Sequence, residues 1–493
     1  MARRVLVASW GNPFTWKKAV YRIERERYEQ RSSTVALKQA MNVGSENVLV
    51  FISETIIGTK DVISPELMDK AIKDYTSVLD EAKEKVMELD FVKEAGIEPQ
   101  VCPGAGRFAI RPMGITAEWV LPGSASAETA FAACVLSKVL GHLLDLEEDV
   151  EILVDVTHGI NYMVSATRRA VLAAARMYSA ARMRNVSVKV YNALPVAEEG
   201  QESPILVVDE EYVSPLKAAS RLVYTASLMH SDTPSLVTAD TEYKKTRSYG
   251  ELARMDDVLR KASLLGKRAA VSLYYGLPLA LLQVAGEALD TGIDKEELTG
   301  KARETGESII NKVLRNVEID TDKEKKYLVV RHRVAPLYDA LKFLYARIAL
   351  LGYALNAFEE AGASLEETKG TPLAFASIEQ LRLVADKYLA PPQRILVNRE
   401  LSLFNKELKD LMEGRGAKNE RITEITANWA PETPGRAEFD TRIMVAHAGL
   451  EKGHIQYRVK DNELQLRYSP ESARKLGKLL NNLYKEIAAL VTR

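Results

Sequence analysis

Two short stretches of this chain combine residue types that do chemistry. The first is Asp155-Val156-Thr157-His158-Gly159-Ile160-Asn161, which gathers a carboxylate, a hydroxyl and a titratable ring around a glycine. The apolar run Glu151–Asp155 predicts a buried strand before it, and the residues from Asn161 onward predict a helix. Open α/β sheets bind ligands at the carboxyl ends of their strands, and a helix N-terminus offers free N–H groups to an anion. Thr157, His158, Gly159 and Asn161 are therefore candidate ligand-binding residues, with Asp155 orienting the turn by accepting backbone or imidazole N–H bonds. A plainer role fits the same residues, with Thr157 capping the helix and His158 in solvent. A companion loop, Ser9-Trp10-Gly11-Asn12-Pro13, follows the strand predicted at Arg4–Ala8. Trp10, Gly11 and Asn12 join the candidates because glycine permits close backbone approach and an amide can read the polar edge of a base. If both strands are central in the sheet, the two loops share one crevice.

The second stretch is Arg442-Ile443-Met444-Val445-Ala446-His447, an R-x4-H spacing in a helical segment. Metal-free cleavage beside a ribose 2′-hydroxyl needs a base, an acid for the leaving oxygen and positive charge on the phosphate. Histidine titrates near neutrality and arginine stays charged while gripping phosphate in a fork, so Arg442 and His447 are the catalytic candidates. Residues five apart on a helix differ by about 140° and about 7.5 Å along the axis. One such pair makes a poor dyad, whereas two copies across a twofold axis would surround a single phosphate. The chain has six histidines, so about one R-x4-6-H match is expected by chance and the motif does not decide alone.

The elements that position these residues follow from pattern. Most strand candidates at Arg4–Ala8, Asn47–Ile52, Glu151–Asp155, Val186–Tyr191 and Pro204–Val208 are nearly continuous apolar runs, as in parallel strands buried on both faces. Helices alternate with them: one opens at Ser64-Pro65 and runs to Leu89, one spans about Glu128–Leu144, and one spans about Asn161–Arg182. That βαβ order predicts a doubly wound, Rossmann-like domain over 1–212. Beyond it strand patterning stops and helical periodicity dominates, apart from a hairpin at His454–Val459 and Leu464–Tyr468 and a closing helix from Ser469-Pro470. The predicted division is an α/β domain at 1–212, a helical segment at 213–330 with helix-turn-helix as one reading, and a helical domain at 331–493.

Composition narrows the function classes. At 493 residues the chain suits about two to four domains. It carries 67 Lys+Arg against 68 Asp+Glu, a formal charge of −1, so a globally basic nucleic-acid coat is excluded. Two cysteines cannot build a disulfide scaffold or a cysteine-rich zinc module. Lys138 and Arg347 interrupt the long apolar stretches, so a soluble, cytoplasmic protein with no membrane span is expected. No phosphate loop, H-E-x-x-H or G-x-S-x-G motif occurs. Gly104-Ala105-Gly106 leads toward Pro112 and predicts a turn rather than a dinucleotide site. His142 with Asp145, Glu147, Glu148 and Asp149 fits a solvated acidic stretch, so neither a metal nor a cofactor is expected.

The ordered combination of Trp10-Gly11-Asn12-Pro13, Asp155-x-Thr157-His158-Gly159-x-Asn161, a helical second half and a late Arg442-x4-His447-Ala448-Gly449 resembles the CRISPR-associated CARF–HEPN ribonucleases of type III systems. The resemblance implies a Rossmann-like CARF domain that senses a cyclic oligoadenylate, with cyclic tetra-adenylate expected, and a helical HEPN domain that cleaves single-stranded RNA as a homodimer without metal. It assigns Arg442 and His447 to catalysis, and Trp10, Gly11, Asn12, Thr157, His158, Gly159 and Asn161 to the ring-ligand site. Ile443 departs from the polar residue that often follows the arginine in that family. Two other readings stay open: a ligand-responsive DNA-binding regulator using about Ser214–Leu265, for which Lys244-Lys245-Thr246-Arg247 is a weak phosphate-contact candidate, and an inert scaffold that only binds the ring.

Overall fold

The computed structural model describes residues 2–110, 113–228, 231, 234–322, 326–413, 415, 427–430, 441–460 and 463–491. Arg3–Trp10, buried from Val5 onward, is a central strand. It pairs in parallel with Val48–Ser53 on one side and Val150–Asp155 on the other. Pro99–Cys102 extends the first side and Val186–Ala193 the second, both in parallel. Beyond Val186–Ala193 come the antiparallel Glu202–Val213 and the hairpin Ala19–Ile23/Glu26–Gln30, completing eight strands. The chain order reverses at Arg3–Trp10, so the loops after Trp10 and Asp155 flank a topological switch point.

Helices cover both faces. Ala127–Leu144 and Asn161–Arg182 lie in one large core, and Ser33–Ala40, Tyr75–Met87 and Asp90–Ala95 in a second. Ala127–Leu144 is long and apolar enough to cross a membrane. Its Ala130–Leu136 stretch is instead fully buried against protein. Cys102, at the end of its strand, is disulfide-bonded to Cys134 in this helix. The single helix expected over Ser64–Leu89 is two, Pro65–Lys73 and Tyr75–Met87. Asp74 leaves the helical conformation and caps the second with its side chain on the Ser77 N–H, 3.2 Å away.

The second half corrects the expectation that strands end near residue 212. Val317–Asp322 and Tyr327–His332 form a hairpin whose second strand runs parallel to Ile115–Val120, itself paired with Gly106–Ile110. Val-Glu-Ile-Asp-Thr-Asp is too polar to announce a strand, and its sheet is completed only by residues some two hundred positions earlier. Ser364–Thr368 and Thr371–Ser377 likewise enlarge the expected C-terminal hairpin, seen at Ile455–Lys460 and Glu463–Tyr468, into a four-stranded sheet. Among the described residues the remainder is helical apart from a short antiparallel pair, Val237–Ala239 with Val334–Pro336. Tyr338–Ala361 is its central helix and packs on Asn161–Arg182, Pro215–Ser227 and Asp257–Tyr275. Arg347 is fully buried there, donating to the Tyr484 hydroxyl at 2.7 Å and so tying in the closing helix Pro470–Val491.

Candidate functional site

The loops after Trp10 and Asp155 meet, as a shared crevice requires. Gly11 N–H donates to the His158 carbonyl at 2.8 Å. A Cβ on Gly11 would sit 3.1 Å from that oxygen, and one on Gly159 only 2.7 Å from Ser9 Oγ, so the loops approach closely and a side chain at Gly159 would force its neighbours to shift. Asp155 is buried and accepts from the Ser33 and Thr34 hydroxyls at 2.6 and 2.7 Å and from the Thr157 N–H at 3.0 Å. Thr34 in turn accepts from Trp10 Nε1 at 2.9 Å. The carboxylate thus orients the turn, through backbone and hydroxyl donors.

Thr157 does not cap the helix. Its hydroxyl accepts from the Ala193 N–H at 2.9 Å, while Ile160 occupies the N-cap position of Asn161–Arg182. Asn161 opens that helix, and its side chain lies outside the described residues. Nor is His158 a solvent-facing loop histidine. Its ring stacks on Trp16 with centroids 4.0 Å apart, and its Nε2 accepts from the Ser33 N–H at 3.2 Å with the Tyr21 hydroxyl at the same distance. An accepting Nε2 puts the proton on Nδ1. Burial lowers the imidazole pKa, opposed by the nearby Asp155 charge. Burial likewise raises the Tyr21 hydroxyl, with Asp155 adding to it.

The accessible surface lies beside this cluster, in an open cleft of about 490 Å³. Trp10, Gly11, Asn12 and Ile160 line it from the two motif loops. Asn12 Oδ1 also accepts from the Phe14 N–H at 3.2 Å. Facing them are Ser53, which ends the strand Val48–Ser53, Thr55, Thr59 and Lys60, which follow it, and Arg107 and Phe108 of the Gly106–Ile110 strand. Two cations and an aromatic ring therefore join an amide and hydroxyls around one cleft, a set suited to phosphate and base together. Sequence analysis missed these residues. The switch-point rule could have found Lys60, because its loop follows the third central strand; Arg107 arrives only through the hairpin.

In the other half, Arg442 lies on the exposed side of the short helix Thr441–Ala446. His447 follows it, still bonded through its N–H to Ile443 O at 3.1 Å, with its side chain 41% exposed. Both reach the surface of the chain. Neighbouring Ile443 is also exposed and supplies no polar support. His447 Nδ1 lies 3.2 Å from Glu400 Oε2 on the helix Pro391–Met412. Lys244-Lys245-Thr246-Arg247 is exposed and engaged locally, Lys245 with Glu242 at 2.8 Å and Arg247 with Glu251 at 2.8 Å.

A Rossmann-like domain with a polar cleft at its switch point, followed by a helical domain displaying an arginine and a histidine, is the architecture of the CARF–HEPN class. A family model described as CRISPR system endoribonuclease Csx1, CARF domain, matches residues 5–195. One described as CRISPR system endoribonuclease Csx1, HEPN domain, matches residues 390–471. A protein of Methanocaldococcus jannaschii described as CRISPR system endoribonuclease Csx1 is 24% identical over 484 residues, covering 94% of this chain and 89% of that one. The chain belongs to the CARF–HEPN family of CRISPR-associated endoribonucleases.

Proposed function

We propose that this chain is an endoribonuclease switched on by a cyclic oligoadenylate, serving type III CRISPR antiviral defence in the cytoplasm. The observation that carries the proposal is the pairing, on one chain, of the cation- and aromatic-lined cleft with the surface Arg442 and His447. A cleft of about 490 Å³ falls in the size range of small-ligand sites. Cyclic tetra-adenylate is larger and suits two such clefts facing each other across the twofold axis of a homodimer, where each subunit makes the same contacts. Phosphates would rest on Lys60, Arg107 and the first amides of Asn161–Arg182, and an adenine against Phe108.

Two physical links support transmission. Asn161–Arg182 starts at the cleft and packs along Tyr338–Ala361, with Asn356 Nδ2 donating to Ala181 O at 2.8 Å. The cleft hairpin continues through Tyr327–His332 into the approach to that same helix. A ligand that binds one arrangement better shifts the population toward it. Duplicate Arg442/His447 pairs would then close on single-stranded RNA. Arg442 would stabilise charge on the phosphorane and His447 would move the proton, with no metal, leaving 2′,3′-cyclic phosphate and 5′-hydroxyl ends.

The test is cleavage of single-stranded RNA by the purified protein with and without cyclic tetra-adenylate, in EDTA. Stimulated cleavage that disappears in His447→Ala is expected. Cleavage abolished by EDTA would end the metal-free scheme, and cleavage indifferent to every cyclic adenylate would end the sensor assignment. Salt-dependent duplex DNA binding without RNA cleavage would favour a regulator instead.

A further inference from the structure

We infer that Glu400 is a positioning residue for His447, an inference that rests on the nuclease assignment above. Glu400 lies on Pro391–Met412 between the buried Val397, Leu401 and Phe404, and is itself 6% exposed. Its Oε2 stands 3.2 Å from His447 Nδ1, while the imidazole is 41% exposed. An ionised carboxylate only accepts hydrogen bonds, so Nδ1 must donate and Nε2 is left as the basic nitrogen. The ring therefore turns its protonated edge toward the core and its basic edge toward substrate. When Nε2 takes up a proton, the buried carboxylate stabilises the imidazolium that forms. Burial keeps Glu400 itself from the RNA, so it acts through the histidine.

Two features separate this contact from an ordinary surface ion pair. The histidine's backbone is pinned as well as its ring: the Gly449 N–H returns to Met444 O at 2.7 Å, and the buried Tyr468 hydroxyl donates to Gly449 O at 3.1 Å. The contrast with His454 in the same domain is direct. There Nδ1 meets Ser472 Oγ at 3.0 Å and Nε2 meets Glu451 at 3.1 Å, so both ring nitrogens are engaged within the chain. His447 meets one buried carboxylate among the described residues, and its side chain is 41% exposed.

The experiment compares full-length wild type, Glu400→Ala, Glu400→Gln and Glu400→Asp in the activated RNA-cleavage assay, with thermal melting as the folding control. Glu400→Ala is expected to lower kcat roughly ten- to hundred-fold with KM within about twofold, less than the loss in His447→Ala. Glu400→Gln keeps an acceptor of the same length and is expected to retain more activity. A ¹⁵N-histidine spectrum, assigned by comparison with His447→Ala, reads the tautomer directly. Wild type is expected to hold the proton on Nδ1, and Glu400→Ala a mixture. A folded Glu400→Ala protein with wild-type kcat, or an unchanged tautomer, overturns the inference; if that variant does not fold, Glu400→Gln and Glu400→Asp supply both readings. Absence of cleavage in wild type defeats the nuclease assignment instead, and the tautomer still decides whether Glu400 orients the ring.

Discussion

His332 Nε2 lies 2.8 Å from Glu54 Oε1, and neither side chain reaches solvent. Glu54 follows the cleft strand Val48–Ser53, while His332 ends the strand Tyr327–His332 of the middle segment. The same carboxylate accepts from the Gly104 N–H at 2.8 Å and the Tyr75 hydroxyl at 2.6 Å, and Tyr75 accepts from Trp119 Nε1 at 2.9 Å. His332 Nδ1 faces Val313 O at 3.2 Å, so both ring nitrogens meet acceptors, the arrangement of an imidazolium. Burial pushes the His332 pKa down, but the Glu54 charge and its hydrogen bond outweigh that and raise it.

Breaking this pair should be costly. His332→Leu leaves the Glu54 charge buried without its partner, and a loss of about 3–5 kcal/mol is expected in denaturant unfolding. Because the folded pKa is raised, the stabilisation is complete below the unfolded value of about 6.5 and fades as pH rises through the folded value. The difference between wild type and His332→Leu should therefore shrink as pH rises above about 6.5. A difference independent of pH would show that folding leaves the His332 pKa unshifted.

His158 should show the opposite slope. Its folded pKa is lowered, first by burial. The neutral ring thus contributes stability that is present above about pH 6.5 and lost as pH falls toward the folded value. Unfolding free energy measured between about pH 5 and pH 7 should rise with pH in wild type and flatten in His158→Phe. An unchanged slope in that variant would assign the dependence to other groups.

The cleft cations can be tested apart from the fold. Lys60→Ala and Arg107→Ala remove exposed side chains and should shift stability by no more than about 0.5 kcal/mol. Each should weaken cyclic tetra-adenylate binding by about tenfold, the loss of one charge-assisted contact. Isothermal titration and ligand-induced thermal shift read the two effects separately. Unchanged affinity in both variants would move the ligand out of this cleft.

Arg442→Ala should abolish stimulated RNA cleavage by at least about a hundredfold. Arg442→Lys should recover little, because an ammonium lacks the bidentate fork. Melting temperatures should stay near wild type, since the residue is exposed. Full activity in Arg442→Lys would reduce its role to a simple positive charge.

The Cys102–Cys134 bond closes a span of 32 residues between the strand end and the helix packed on the sheet. Replacing both cysteines by serine should cost about 2–4 kcal/mol. Denaturation of the oxidised, reduced and doubly substituted proteins checks this. Coincident curves would show that the bond contributes nothing.

The parallel core was legible in the sequence because strands buried on both faces must be continuous apolar runs. The helix Asn161–Arg182 was legible because its periodicity is long and unbroken, and it begins and ends where its pattern says. The Arg442/His447 spacing and the two motif loops are local signals of the same kind. What the linear order could not convey depends on residues far apart becoming neighbours. Arg107 reaches the cleft beside Lys60 only because a hairpin folds over the switch point, and the strand Tyr327–His332 finds Ile115–Val120 across more than two hundred residues. Glu400 meets His447 because the turn after Thr441–Ala446 comes up against the helix Pro391–Met412, and Thr157 turns to Ala193 rather than to its own helix because a neighbouring strand supplies the nearer donor. Backbone preference and burial act along the chain and can be read from it. Side-chain partnership is settled by which surfaces the core brings together, and only the folded molecule decides that.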